Sequence, residues 1–384
     1  MSSTPLTKEY SILSLPFFFT GGFLLLCFRF LTSITVFLNI SRAFDLILFI
    51  LGVLFLLIQI YLNCRAQRMY IFYSAIFIST GFLSWFLSGY SEVFSAFLLL
   101  TAAVSVKDLR SLFFFWLNFV SLFVLIVILF YLICYYSTLN TSDLFFREFD
   151  GLVVRERYSF GFVHPNMFGF LTFAIIIVYF YLIDFNFNFY HLLFASILIL
   201  TVSYFTYSRT PAFLFFIYIS VLVAIRYSRT VLYVFKKISL FLPFLLLLSI
   251  FLMSSIFYDP SIGDLFTGRL WLWHTYFVNS GVTLFGKAFQ IVSDYSLQGY
   301  MATVTTLDSF YAMALFVEGV VPFSLLFYLH FLVVRNDEKG LDTLSLIVFW
   351  IYGMTENVIY AIPLCVVFLI LSRGILRRVD SKYD

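Results

Sequence analysis

Residues 111–136 read SLFFFWLNFVSLFVLIVILFYLICYY, a run of 26 residues without a single charged side chain. A helix needs about 20 predominantly apolar residues to cross the hydrocarbon core of a bilayer. An isolated strand cannot satisfy its backbone hydrogen bonds in lipid, so a helix is the conformation that such a run favours. The stretch therefore predicts a transmembrane helix.

The whole chain is as apolar as this stretch suggests. It has 384 residues, of which 62% are hydrophobic and only 43 (23 Lys and Arg plus 20 Asp and Glu) are charged. A soluble chain of this length carries roughly 96 charges. The shortfall excludes a soluble enzyme, a disordered chain and a secreted disulfide scaffold. About twelve spans would use roughly 240 residues, which leaves no room for a separate soluble domain, so a single transmembrane domain is predicted over 1–384.

Similar apolar runs predict an all-α integral membrane protein, a polytopic bundle of about twelve transmembrane helices. The predicted spans lie at 11–28, 44–62, 69–87, 91–106, 111–136, 165–183, 187–207, 211–225, 238–258, 308–334, 341–355 and 359–372. With the N-terminus inside, fifteen of the 23 Lys and Arg residues fall on inner segments and eight on outer ones. Because cytoplasmic segments are enriched in cations, both termini are predicted to be cytoplasmic. The longest loops, 137–164 and 259–307, then lie outside, the latter between spans 9 and 10.

The outer segments hold the residues that suggest chemistry. The sequence RERYSFGFVHPNMFG occupies 155–169, and Pro165 is predicted to start the sixth span with His164 at its outer end, because proline suits the first turn of a helix. A second such start is predicted at Pro211, and Asp308 is the candidate N-cap of the tenth span. Helix N-termini present free amides and partial positive charge, which favour a bound anion.

Further candidates lie later in the chain. Arg269, Trp271 and Trp273 in the 259–307 loop predict a short interfacial helix whose guanidinium faces a phosphate. Glu318 falls inside the tenth span, where a carboxylate is costly and is expected to face the bundle interior. The four cysteines have no CxxC spacing and no carboxylate metal pair is evident, so neither a metal nor a cofactor is predicted.

Each of these residues also has a purely structural interpretation. Arg155 and Arg157 flank Glu156 and are consistent with a solvated, self-paired loop. His164 is consistent with an interface histidine, and Asp308 with a simple helix cap. Trp271 and Trp273 suit the aromatic belt at the membrane surface.

The run Arg157-x-Ser159-x-Gly161-Phe162-x-His164-Pro165-Asn166-x-x-Gly169 resembles the signature of bacterial polysaccharide-repeat polymerases of the Wzy type, the O-antigen-polymerase-like proteins, in the form found in Gram-positive capsule and exopolysaccharide loci. Further similarity follows in the expected order at Ser208-Arg209-Thr210, Thr267-Gly268-Arg269-x-x-x-Trp273 and Leu307-Asp308-x-x-Tyr311. By motif the resemblance covers about thirty positions.

The resemblance implies glycosyl transfer between polyprenyl-pyrophosphate-linked oligosaccharides at the outer leaflet of the plasma membrane. Arg157, Arg209 and Arg269 are the candidates for binding the pyrophosphate, since arginine makes bidentate, charge-assisted hydrogen bonds to such oxygens. His164 is the first candidate for the general base and Asp308 the second. The supporting residues are expected to be Arg155, Asn166, Tyr311 and Glu318. Membrane lipids, a flippase and a chain-length regulator are the candidate partners, and no nucleic acid is expected.

Two alternatives remain open. The first is an O-antigen-ligase-like enzyme that passes the finished glycan to another acceptor through the same lipid-pyrophosphate chemistry. The second is a flippase or transporter of the lipid-linked oligosaccharide, which is expected to line its cavity with cations through the membrane depth and often to have two matching halves. The sequence has no such match between halves.

Overall fold

The computed structural model describes residues 15–36, 38, 40–66, 68–138, 144–149, 152–259, 269–288, 309–357 and 359–380. Its helices before residue 259 are α1 (Phe17–Ser33), α2 (Arg42–Ala66), α3 (Arg68–Ser88), α4 (Glu92–Ala102), α5 (Leu109–Thr138), α6 (Pro165–Ile183), α7 (Phe189–Thr206), α8 (Arg209–Tyr227) and α9 (Arg229–Ser255). They are followed by α10 (Arg269–Ser280), α11 (Phe310–Phe316), α12 (Val320–Asn336), α13 (Leu341–Tyr352), a 3-10 helix (Val366–Leu371) and α14 (Ser372–Asp380).

The protein is a helical, multi-pass membrane protein. Among the described residues, seven helices are long and apolar enough to cross a membrane, namely α2, α3 and α5 to α9. Five shorter apolar helices have 10–17 residues: Phe17–Ser33, Glu92–Ser105, Val320–Asn336, Leu341–Tyr352 and Val366–Leu376. Large apolar side chains such as Phe86 and Phe194 are more than 70% exposed on the spanning helices, as expected for surfaces that face lipid. The count of twelve spans and their orientation remain predictions.

One antiparallel hairpin departs from the all-helical expectation. It consists of β1 (Leu144–Phe149) and β2 (Leu152–Tyr158), which pair with a register irregularity between Arg147 and Glu148. The hairpin falls in the predicted outer loop 137–164. Strands are compatible with a membrane protein here because a loop outside the hydrocarbon region has water available for its edge hydrogen bonds.

The chain divides into two compact units. The first contains residues 1–59 and 102–219, and the second contains 60–101 and 220–384. The single domain over 1–384 remains a prediction. In the first unit, α6 packs between α5 and α7, and β2 packs on α7. The apolar part of α6 is 67% buried, against 22–33% for the other candidate spans, so α6 forms the core of this unit.

The second unit is centred on a cluster of buried aromatic rings. Phe310 of α11 and Phe323 of α12 both contact Trp350 of α13. The indole of Trp350 donates to Nδ1 of His330 at 3.2 Å, and the opposite ring nitrogen of His330 contacts the Ser239 carbonyl at 2.9 Å. Both nitrogens of His330 are therefore used in packing.

Two predicted spans are not continuous α-helices in the structure. The tenth, predicted as one helix over 308–334, is interrupted at residues 317–319 between α11 and α12, and Gly319 adopts a φ of 107° there. The twelfth, predicted over 359–372, is formed by turns and the 3-10 helix Val366–Leu371. Pro363 lies within it, and an interior proline removes one α-helical hydrogen bond and clashes with the preceding turn.

Candidate functional site

Arg157 connects three segments of the first unit. It lies at the end of β2, and its Nε donates to the carbonyl of Thr206 at 2.8 Å while its Nη2 donates to Oδ1 of Asn166 at 2.7 Å. Thr206 is the last residue of α7 and Asn166 the second of α6. The end of α7 carries partial negative charge from its unpaired carbonyls, so a guanidinium is favoured there. Arg157 thus fixes the start of α6 against the end of α7.

His164 is the N-cap of α6, and Pro165 is its first residue, as the sequence predicted. The ring is exposed, and its Nδ1 accepts a hydrogen bond from the backbone N–H of Asn166 at 3.1 Å. A neutral imidazole that accepts at Nδ1 carries its proton on Nε2. In this geometry the accepting nitrogen of His164 is already used, and the other ring nitrogen is a donor. The arrangement suits donation to an anion better than abstraction of a proton.

A turn with two left-handed residues holds the segment that precedes His164. Phe160 has a φ of 52° and Gly161 a φ of 86°. The backbone then pairs with the residues after α1: Val36 N–H donates to the Gly161 carbonyl at 3.0 Å, and Val163 N–H donates to the Ile34 carbonyl at 2.8 Å. Since glycine adopts positive φ without steric cost, Gly161 of the sequence motif has a backbone role.

Gly169 brings the starts of α6 and α8 together. A Cβ at this position would lie 3.2 Å from both Cβ and Oγ of Ser208 and 3.3 Å from Cγ of Pro211. Helix α8 begins at Arg209, so the prediction that Pro211 starts the eighth span is wrong by two residues. Arg157, His164, Asn166 and Arg209 therefore belong to one end of the first unit, where α6 and α8 begin and α7 ends.

Arg209 is exposed and borders an open, largely apolar groove of about 630 Å³. Among the described residues, no hydrogen bond or ion pair involves its guanidinium. The groove is lined by residues from the end of α7 and the start of α8: Leu200, Thr201, Ser203, Tyr204, Phe205, Tyr207, Arg209 and Ala212. It offers an apolar surface with one cation at its edge.

Arg269 belongs to the second unit and is the first residue of α10. Its Nη2 lies 4.0 Å from Oε1 of Glu356, and both side chains are largely buried, with 26% and 15% exposure. The Tyr352 hydroxyl interacts electrostatically with both. Sequence reasoning missed Glu356. The run Thr355-Glu356-Asn357, polar residues between two apolar stretches, was the available signal.

The two tryptophans of α10 differ. The predicted short helix is present, with Trp271 43% exposed and Trp273 buried. His274, next to them, stacks on Tyr258 with ring centroids 3.8 Å apart, and its Nδ1 contacts the Ser254 carbonyl at 2.8 Å. Trp271 is the one placed to contact a headgroup or a sugar.

The supporting candidates are divided between the two units. Tyr311 is fully buried, and its hydroxyl donates to the Trp350 carbonyl at 2.9 Å, which is a packing role. Glu318 is 1% exposed and lies in the break between α11 and α12. Arg155 is in β2, where its backbone pairs with Arg147. Asp308 lies outside the described residues, and the N-cap of α11 is Ser309, whose hydroxyl accepts from Ala312 N–H.

No group of three or more His, Cys, Asp and Glu side chains that could hold a metal ion occurs within the described residues. Comparisons with protein-family models, with curated proteins and with solved structures find no match to this chain. The family resemblance and the absence of a cofactor therefore remain predictions.

Proposed function

We propose that this protein extends polysaccharide chains at the outer leaflet of the plasma membrane, using polyprenyl-pyrophosphate-linked oligosaccharides as donor and acceptor. The observation that carries the proposal is the position of Arg209. An exposed guanidinium borders an apolar groove, and the start of α6, fixed by Arg157, is adjacent to the start of α8. A lipid pyrophosphate is complementary to this arrangement, because its apolar chain suits the groove and its clustered negative charge suits the guanidinium.

The groove suits the polyprenyl chain. Leu200, Phe205 and Ala212 line it with apolar surface, and Tyr204 and Tyr207 add rings. An isoprenoid that packs there removes apolar area from water, at about 25 cal/mol for each Å². The chain then positions its pyrophosphate at the groove edge beside Arg209.

The cations suit the leaving group. Cleavage of the bond between the donor's anomeric carbon and the pyrophosphate oxygen leaves negative charge on the polyprenyl pyrophosphate. Donors and cations already aimed at that charge lower the barrier because they need no reorganisation during the reaction. Arg209 supplies bidentate donors, Arg157 supplies a fixed positive charge, and the Nε2–H of His164 supplies a further hydrogen bond.

The acceptor side of the reaction needs a base. The acceptor hydroxyl forms the new bond to the anomeric carbon and loses its proton. Because Nδ1 of His164 is occupied by Asn166 N–H, the proposal assigns His164 to the leaving group and retains Asp308 as the candidate base. Arg269 keeps its proposed pyrophosphate role on the resemblance alone, and its nearest charged partner among the described residues is Glu356.

A transporter of the lipid-linked oligosaccharide is the second candidate. The observation that favours it is the interrupted helix formed by α11 and α12, because transporters often build substrate and ion sites from discontinuous helices. A ligase-like enzyme shares the chemistry of the main proposal, and the products distinguish the two.

The test uses the purified full chain in liposomes with lipid-linked repeat units isolated from a host strain that lacks this gene. The proposal expects a ladder of longer glycans on lipid. Arg209→Ala should reduce the ladder at least tenfold, whereas Arg42→Ala, another exposed arginine at the first residue of a spanning helix in the first unit, should leave it unchanged. A single transfer to a different acceptor would indicate a ligase. Translocation without lengthening would indicate a transporter and overturn the proposal.

A further inference from the structure

The break between α11 and α12 is filled by another segment of the second unit. Residues 283–287 run alongside it: Thr283 N–H donates to the Leu315 carbonyl at 2.8 Å, and Lys287 N–H donates to the Val317 carbonyl at 2.9 Å. In return, Val320 N–H donates to the Thr283 carbonyl at 2.9 Å. The break therefore has built-in hydrogen-bond partners, as irregular backbone at membrane depth requires.

Glu318 lies in this break, and none of the ion pairs among the described residues involves its carboxylate. It is 1% exposed, and its Oε2 is buried without a hydrogen-bond partner among the described residues. Its backbone carbonyl accepts a hydrogen bond of 2.7 Å from the Ser84 hydroxyl. Burying an unpaired carboxylate is so costly that the charge must be neutralised. A bound cation or a proton must therefore accompany Glu318.

Two oxygen-bearing groups lie close to Glu318 among the residues that the structure describes. Glu92, at the start of α4, and the hydroxyl of Tyr360 both interact electrostatically with it. Burial and the charges of Glu92 and Glu318 together raise the pKa of the Tyr90 hydroxyl, which places both carboxylates near Tyr90. The Tyr360 hydroxyl is a second, independent sign of a missing ligand, since it is also buried without a partner among the described residues.

The end of α3 links these groups to the break. A Cβ on Gly286 would lie 2.8 Å from the Val317 carbonyl oxygen, 3.1 Å from that of Glu318 and 3.1 Å from Cβ of Ser88. The hydroxyl of Ser88 accepts from Tyr90 N–H at 3.1 Å. Residues 88–92 thus lie beside the break, and Glu92, which is only half-buried, provides a partly solvated entrance.

We propose that Glu318, together with Glu92, the Tyr360 hydroxyl and backbone carbonyls of the α11–α12 break, binds a sodium ion. The Glu318 side chain is fully buried and Glu92 is half-buried, so a single bound cation would neutralise the charge on Glu318. Hard alkali cations prefer carboxylate, carbonyl and hydroxyl oxygens. Unwound backbone between half-helices coordinates Na⁺ in membrane transporters in the same manner. The sequence singled out Glu318 but not its proximity to Glu92, because the two residues are far apart along the chain. The proposal is independent of the polymerase assignment.

The test measures thermal unfolding of the purified full chain in detergent, in NaCl and in choline chloride at equal ionic strength and neutral pH. Wild-type protein should show a saturable rise in melting temperature with Na⁺. Glu318→Gln should remove this dependence, and Tyr360→Phe, which deletes one hydroxyl, should raise the half-saturating Na⁺ concentration several-fold. Glu338→Gln, at an exposed carboxylate of the same unit, should behave as wild type.

Two outcomes would overturn the proposal. Equal melting temperatures of the wild type in the two salts would mean that Glu318 holds a proton and not a metal ion. A Na⁺ dependence that persists in Glu318→Gln and is unchanged in Tyr360→Phe would place the ion elsewhere. If Glu318→Gln does not fold, Tyr360→Phe decides the question, because a normal Na⁺ titration of that variant rejects the site.

Discussion

Nη2 of Arg157 donates a hydrogen bond of 2.7 Å to Oδ1 of Asn166, across the turn that leads into α6. The same guanidinium donates from Nε to the last carbonyl of α7, that of Thr206, at 2.8 Å. A lysine carries its N–H donors on one nitrogen and lacks the planar fork through which Nε and Nη2 of Arg157 reach two separate acceptors. Arg157 is therefore a structural connection between α6 and α7 as well as a candidate ligand for phosphate.

This connection predicts energetic coupling between the two side chains. Arg157→Ala and Asn166→Ala should each lower the free energy of unfolding by about 1.5–3 kcal/mol, the usual range for a hydrogen bond to a charged group. The double variant should cost less than the sum by about 0.5–3 kcal/mol, because the second substitution removes a partner that is already lost. Equilibrium unfolding in mixed detergents measures all three. Strict additivity would show that the bond contributes nothing, and Arg42→Ala is the neutral control.

Because His164 caps α6, substitutions at this position should affect the stability of the protein and its activity differently. His164→Ala should lower the free energy of unfolding by about 0.5–2 kcal/mol, the typical loss for an N-cap. His164→Asn should restore the stability, since an asparagine oxygen accepts from the same N–H of Asn166 that Nδ1 now accepts from. The glycan ladder should remain low in both variants, because neither has an Nε2–H. A His164→Asn variant with full activity would limit this residue to capping.

The close contact between α6 and α8 at Gly169 should be sensitive to an added methyl group. In Gly169→Ala the new methyl group would lie 3.2 Å from the side chain of Ser208 and 3.3 Å from the ring of Pro211. The two helix starts must separate slightly, at a cost of about 1–3 kcal/mol for an overpacked site, and Arg209 moves with them. Adding Ser208→Gly removes two of the close atoms and should restore both the melting temperature and the glycan ladder. Failure of this second change to rescue would mean that the contact does not limit the position of Arg209.

The sequence was most informative where a local signal exists. Pro165 marked the start of α6 because its fixed φ and missing N–H suit the first helical position. The same reasoning failed at Pro211, because a proline is tolerated anywhere in the first turn, where the N–H groups have no intrahelical partner. Helix α8 starts at Arg209, so Pro211 is the third residue of its first turn.

Contacts between distant residues left no local signal. The pairing of Arg269 with Glu356 and the proximity of Glu92 to Glu318 depend on how the second unit folds. The break at Glu318 was missed for a related reason. Hydropathy averages over a window and the residues on both sides are mostly apolar, so the local signs of an interruption, Gly319 and Pro322, were outweighed. The partner of the interrupted backbone, residues 283–287, comes from a segment that precedes it in the chain and pairs with it only in the folded unit.

Gly319 and Gly281 give a matched pair for testing that break. Both have positive φ, 107° and 64°, but a Cβ on Gly319 would lie 2.4 Å from the Leu284 carbonyl oxygen and 2.6 Å from Cα of Phe285, whereas a Cβ on Gly281 meets nothing within 4 Å. Gly281→Ala should therefore cost only the left-handed backbone strain, about 1–2 kcal/mol. In Gly319→Ala the new methyl group would also clash with backbone atoms of Leu284 and Phe285, which cannot move aside as a flexible side chain could. This substitution should sharply reduce the yield of folded protein, as measured by size-exclusion chromatography in detergent. Similar yields for the two alanine variants would contradict the close approach of residues 283–287 to the break.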